Sequence, residues 1–161
     1  MAAVGGRLGW TRYGESLHNP GVSGPLAFGC KVLTAGEVAS VEAVIEQVVP
    51  ADDYPGAKEA GVLYFIDAAL AGPLARFRQT YSQNLRMLDR LSQERFGDVF
   101  HQIAWDEQTS ILRAWESGEY GVAGQQFFSL IRQHTLQGYY GEPEQGGNKD
   151  AISWRMLDFK R

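Results

Sequence analysis

The chain has a single cysteine, Cys30, in 161 residues. An intrachain disulfide framework and a thiolate zinc site are thereby excluded, and an ordinary buried or half-buried thiol is expected. Its three histidines, His18, His101 and His134, fall into neither the H-x-x-x-H nor the H-x-x-E-H spacing that sets two imidazoles on one helix face. A metal site would have to be assembled wholly by tertiary folding, and none is expected. Cationic side chains are sparse: fifteen Lys and Arg are scattered among nineteen Asp and Glu, for a net charge of -4. With no basic stripe to neutralise phosphates, nucleic acid is not an expected partner. The G-x-S-x-G elbow and the Walker loop are both missing. The early GGRLG has neither the G-x-G-x-x-G spacing nor a preceding strand, so no cofactor is expected in this chain. Apolar runs stay well short of the roughly 20 residues that span a bilayer. The opening MAAVGGRLGW shows neither a basic n-region nor an apolar h-region. Cytoplasmic residence is expected for the chain as it stands, with export to the periplasm in company with a partner as the alternative.

What is present is core material: 44% hydrophobic residues with 12% aromatics, enough for one packed domain. Residues 1–29 carry seven glycines and two prolines without sustained periodicity. Trp10, Tyr13, Leu17, Leu26 and Phe28 in that stretch would gain from being laid against a surface. An extended arm over residues 1–33 and a helical domain over 34–161 are therefore expected. Thr34 and Glu37 have the spacing of a capping box, and Val38, Val41, Ile45 and Val48 follow at three- and four-residue steps before Pro50. A second helix places Val62, Phe65, Ile66, Ala69 and Leu70 on one face and stops at Gly72-Pro73, with Asp52 and Asp53 ahead of it as caps. Leu74, Phe77, Tyr81, Leu88 and Leu91 form a bundle seam with Asn84 as one polar place. Ile111, Leu112 and Trp115 mark a fourth helix ending at Gly118. Phe127, Leu130, Ile131 and His134 mark a fifth, ending at Gly138. The fold class expected is all-α, a bundle of about five helices with the arm before it and a long C-terminal loop after it.

That loop, HTLQGYYGEPEQGGNKDAISW, is where chemistry or recognition should lie. Pro143 restrains Glu142 to an extended form, and Gly146-Gly147 permit positive φ around Asn148. Tyr139, Tyr140 and Trp154 supply stiff amphipathic surface of the kind found at the centre of interfaces. Two uses of the loop follow from these residues. In one it is a docking surface formed by His134, Tyr139, Tyr140, Gly146, Gly147, Asn148 and Trp154, extended by Trp10, Tyr13 and Phe28 of the arm, with catalytic residues absent. In the other the chain is a free-standing helical enzyme using His134 with Glu142 or Glu144.

Two stretches carry a family resemblance. LTAGEVASVEAVIEQVVPADDYPGAKEAGVLYFID leads a helix into a P-A-D-x-x-P-G-A-x-x-A-G pattern. FFSLIRQHTLQGYYGEPEQGGNKDAISW is similar to F-F-x-L-x-R-x-H-T-x-x-G-[FY]-[FY]-G-x-P-x-x-G-G-N followed by tryptophan. Over residues 33 to 154 the chain resembles the small subunit, subunit 3 or gamma, of gluconate 2-dehydrogenase and related sugar and polyol dehydrogenases. The resemblance implies an accessory subunit whose large partner, of the glucose-methanol-choline (GMC) oxidoreductase type, binds FAD and oxidises the sugar. It further implies a cytochrome c subunit that takes the electrons in many such complexes. A transient assembly chaperone is a third expectation. The tail WRMLDFKR departs from the family's usual glycine-bearing end, so nothing is carried over to it.

Overall fold

The structure, a computed structural model, describes Ala27 and residues 29–160. Trp10, Tyr13 and Phe28, and with them most of the expected arm, lie outside the described residues. Within them the fold is all-α: six helices and no strand. α1 is Ala35–Val48, α2 Val62–Ala71, α3 Arg78–Phe96, α4 Trp105–Glu116, α5 Val122–Tyr140 and α6 Ile152–Met156. The first five are those expected from periodicity. The sixth lies in the segment read as loop, together with two 3-10 turns at Pro143–Gln145 and Lys149–Ala151.

Each start has a local cause. The Thr34 hydroxyl accepts from the Glu37 N–H at 3.3 Å, and the Glu37 carboxylate accepts from the Thr34 N–H at 2.9 Å, closing the capping box of α1. At α4 the Glu107 carboxylate performs the same reach onto the Ala104 N–H at 2.9 Å. The Arg78 guanidinium donates to the Ala71 carbonyl at 3.0 Å, which satisfies an orphan acceptor at the end of α2. Asp52, expected to cap α2, does otherwise. Its carboxylate accepts from the Tyr54 N–H at 2.8 Å and closes its own turn, because α2 starts only at Val62, after Gly61 at φ 71°.

α5 is the hub, packed against α1, α2, α3, α4 and α6. Its inner residues Phe127, Ile131 and Tyr139 meet Val41, Val44 and Ile45 of α1, Val62, Phe65, Ile66 and Leu70 of α2, and Tyr81, Leu85 and Leu88 of α3 in one core. Trp115 of α4 and Tyr81 both set their rings edge-on to Phe127, with centroids 5.8 and 5.2 Å apart. Helix α5 runs two residues past Gly138, where the sequence suggested a stop. Gly138 serves close approach instead. A Cβ there would lie 2.8 Å from Phe65 Cδ1 and 3.1 Å from Val62 Cγ1, so its bareness sets the spacing of α2 and α5.

Candidate docking face at one end of the bundle

The two stretches that carry the family pattern are far apart in sequence and meet in space. The first, from Pro50 to Gly61, is a tight loop. A Cβ on Gly56 would sit 2.6 Å from the Ala51 nitrogen, so only glycine fits, and the Ala57 N–H returns to the Val49 carbonyl at 2.9 Å. Ala57 and Ala60 are wholly buried beneath it. The second stretch closes over the first. The Tyr139 hydroxyl donates to the Pro55 carbonyl at 2.6 Å, and the Lys149 N–H donates to the Ala60 carbonyl at 3.0 Å.

The turn between α5 and α6 is held by Asn148. Its side chain donates to the Gly141 carbonyl at 2.9 Å and accepts from the Ser153 N–H at 3.0 Å and the Ser153 hydroxyl at 2.8 Å. Asn148 is 0% exposed, and these three bonds tie the end of α5 to the start of α6. The backbone is contorted to permit it: Gly146 has φ 99°, Asn148 44°, Asp150 57° and Ala151 54°. Left-handed conformations cost roughly 1 kcal/mol or more each for residues with a Cβ, so they persist only where surrounding bonds over-determine them. Gly147 is needed for space: a Cβ there would lie 2.2 Å from the Gly138 carbonyl oxygen. Glu142 is extended at φ -67°, ψ 128° ahead of Pro143, as expected for a residue preceding proline.

The residues singled out from the sequence thus divide. Tyr139, Gly147 and Asn148 are buried and shape the segment from within. Tyr140 is 44% exposed, with its ring edge-on to Tyr139 at 4.9 Å. Trp154 is half-buried; its indole N–H donates to the Tyr140 carbonyl at 2.9 Å and its ring meets Phe159 at 5.3 Å. Gly146 is exposed at the turn.

His134, expected on the docking surface, is buried inside the bundle instead. It is 3% exposed in the middle of α5, its Nδ1 is 2.9 Å from the Tyr81 hydroxyl, and its ring stacks on Tyr81 at 5.9 Å. Burial keeps the Tyr81 phenol protonated, so it shares one hydrogen bond with the imidazole Nδ1, in a direction set by the histidine tautomer. Glu142 and Glu144 lie beyond the end of α5, and a partner that His134 meets inside the bundle is Tyr81 of α3. Burial, then the nearby Arg76 cation, lowers the pKa of His134 below 6.5. The unfolded chain therefore binds a proton here that the folded chain refuses, and stability falls as pH drops below 6.5, levelling off below the depressed folded pKa. The melting temperature should decline over that window, and the part due to this histidine should vanish in His134→Gln. An identical slope in the variant would assign the decline to other groups. Burial, followed by Asp67 and Glu42, pushes the Cys30 thiol up to about 11, so it stays protonated at neutral pH.

Around this junction the surface turns apolar. Tyr54, Tyr64, Trp105, Val122, Tyr140, Leu157 and Phe159 are the large exposed hydrophobics among the described residues. Five of the seven, all but Trp105 and Val122, lie on the two family stretches or the tail that follows α6, which makes this end of the bundle the place to look for a partner. Leu157 and Phe159 were not foreseen, because the tail departs from the family pattern and offers no periodicity. The described residues include no cluster of three His, Cys, Asp or Glu placed to hold a metal ion. No helix of the described residues is long and apolar enough to cross a membrane.

These features define a class: a helical domain that, among the described residues, presents an aromatic face shaped by a glycine-asparagine turn. The particular family follows from the sequence itself. The chain belongs to the gluconate 2-dehydrogenase subunit 3 family, whose sequence model matches residues 35–160. Neither a curated protein nor a solved structure matches the chain.

Proposed function

We propose that this chain is the non-catalytic small subunit of a flavin-dependent sugar or glycoside dehydrogenase, stabilising or helping to mature an FAD-binding large subunit of the GMC type. The observation that carries the reading is the coincidence of family pattern and exposed aromatic surface. The tight geometry of Gly56, Gly147 and Asn148 holds Tyr54, Tyr64 and Tyr140 outward at one end. Rigid aromatics on a fixed scaffold lose little entropy on docking. The helix starts of α1 and α4, which could otherwise receive phosphate oxygens, are closed by Glu37 and Glu107. On this reading the flavin is carried by the partner, and a cytochrome c subunit is the next electron carrier.

The expected result is that the purified chain alone is colourless and inactive, whereas co-expression with its large subunit gives a yellow complex that oxidises a sugar or glycoside. Stoichiometric flavin on the lone folded chain would overturn the assignment of the cofactor to the partner. Stoichiometry separates two versions of the role: a subunit stays at a fixed ratio with the flavoprotein through purification, and a transient chaperone is lost from the active enzyme.

A further inference from the structure

The negative charge of the chain is unevenly placed. Residues 50–61 and 141–151 together carry Asp52, Asp53, Glu59, Glu142, Glu144 and Asp150 against Lys58 and Lys149. Of these two cations, Lys58 is drawn toward Glu42 of α1 at 3.4 Å. Residues 75–96, which are α3 and the 3-10 turn before it, have the opposite balance: Arg76, Arg78, Arg86, Arg90 and Arg95 against Asp89 and Glu94.

The two acidic stretches also surround the exposed tyrosines, and Tyr139 links them. Its hydroxyl donates to the Pro55 carbonyl, next to Tyr54, and its ring meets that of Tyr140 at 4.9 Å. Burial first, then Tyr140, Asp52 and Glu59, raise the pKa of the Tyr139 phenol, so both carboxylates lie within electrostatic reach of it. Tyr64 joins from α2: a Cβ on Gly146 would lie 3.6 Å from its carbonyl oxygen, and one on Gly61 would lie 3.4 Å from the Gly146 carbonyl oxygen. Asp53 is exposed beside Tyr54, Glu144 is exposed two residues before Gly146, and Asp150 is exposed two residues after Asn148. An aromatic centre is thus rimmed by carboxylates.

Such a rim discriminates among occupants. A second copy docking two-fold through the same face would set like charges against one another. A head-to-tail copy could offer the arginines of α3, but none of the large exposed hydrophobics of the described residues lies on that helix, so the tyrosines would meet no apolar counterpart. A membrane surface of anionic lipids would repel the rim. We propose that the occupant is an apolar patch ringed by Lys and Arg on the flavin-carrying subunit, with the carboxylates steering the encounter and the tyrosines holding the complex. This rests on the docking role proposed above and adds the chemistry that the partner must offer. Rim charges act on the association rate and its salt dependence, and buried aromatics act on dissociation.

The test measures both rates between the full chain and the purified FAD-binding large subunit, from about 0.05 to about 0.5 M sodium chloride. Asp52 and Glu59 also brace their own loop by accepting from the Tyr54 and Gly56 N–H groups, so the charge reversals are made at Asp53 and Glu144. Asp53→Lys and Glu144→Lys, made separately so that one misfolded variant does not decide the matter, should each slow association roughly 5-fold at low salt, with dissociation unchanged and the deficit fading as salt rises. Glu119→Lys makes the same change of net charge ahead of α5, whose 19 residues put about 28 Å between its start and Tyr140, and should leave the rate unaltered. Tyr140→Ala should do the reverse of the rim variants, hastening dissociation while association keeps its salt dependence. Association that is indifferent to salt and to both rim reversals overturns the proposal and leaves the docking role standing. Equal slowing by Glu119→Lys also overturns it, since net charge rather than the rim would then be responsible. A dimer of the isolated chain in sedimentation that Tyr140→Ala dissolves would give the face to a second copy and overturn it as well. Failure of the unaltered chain to bind the large subunit at any salt removes the docking role and this proposal together.

Discussion

Gly147→Ala is expected to destabilise the domain by about 3 kcal/mol, lowering the melting temperature by roughly 10 °C for a chain of this length. The added methyl meets backbone: the Gly138 carbonyl oxygen at 2.2 Å and its carbon at 2.9 Å. Neither can swing aside as a side-chain tip could, so the turn must lift off α5. Lifting it breaks the Lys149 bond to Ala60 and strains the three bonds of Asn148. Gly146→Ala is the control. Gly146 has φ 99°, but its nearest neighbours to a Cβ are at 3.6 Å, so the cost is conformational alone, about 1 kcal/mol. Differential scanning calorimetry of the two variants settles the matter: equal losses would mean that crowding against Gly138 is not what selects glycine at 147. Affinity for the large subunit should fall in parallel in Gly147→Ala, because Tyr140 and Trp154 flank the disturbed turn.

The helices were legible because their signals are local. Thr34 with Glu37, and the three- and four-residue steps of Val41 and Ile45, act within one turn, and the capping box and the burial of those residues are present as read. Gly138 misled because a glycine near a helix end has two uses. The C-cap is a local matter, whereas the close approach of Phe65 from another helix is not written nearby. His134 was read onto the docking surface for the same reason: its buried partner Tyr81 is 53 residues away. Nothing local in the sequence marks Asp67. Its meaning lies in the Lys31, Val32 and Leu33 N–H groups it accepts from, whose position depends on tertiary folding. The Gly146-Gly147-Asn148 turn was legible as a shaped backbone, but not its inward direction. Glycine and asparagine report permitted φ, and only the packed structure assigns Asn148 to the interior and Tyr140 to the surface.

Tyr140 and Trp154 then separate two accounts of the C-terminal face. If the face is an interface with the flavoprotein, Tyr140→Ala lowers affinity for the large subunit roughly 30-fold or more, about 2 kcal/mol, and leaves the melting temperature of the free chain nearly unchanged. The geometry favours this outcome for Tyr140. Its ring is 44% exposed, and the group that accepts from Trp154 is its backbone carbonyl, which alanine retains. Trp154 is a mixed case. Truncation removes its N–H bond to that carbonyl and its ring contact with Phe159, so Trp154→Ala should lose affinity and also melt several degrees early. The rival account makes both aromatics part of the fold, where truncating a buried aromatic costs about 3 to 5 kcal/mol of stability. Under it, Tyr140→Ala melts as early as Trp154→Ala while binding at low temperature is unimpaired. Paired measurements of melting and affinity on the two variants therefore assign each ring its role, and an early-melting Tyr140→Ala chain that still binds tightly would move the docking surface elsewhere on the domain.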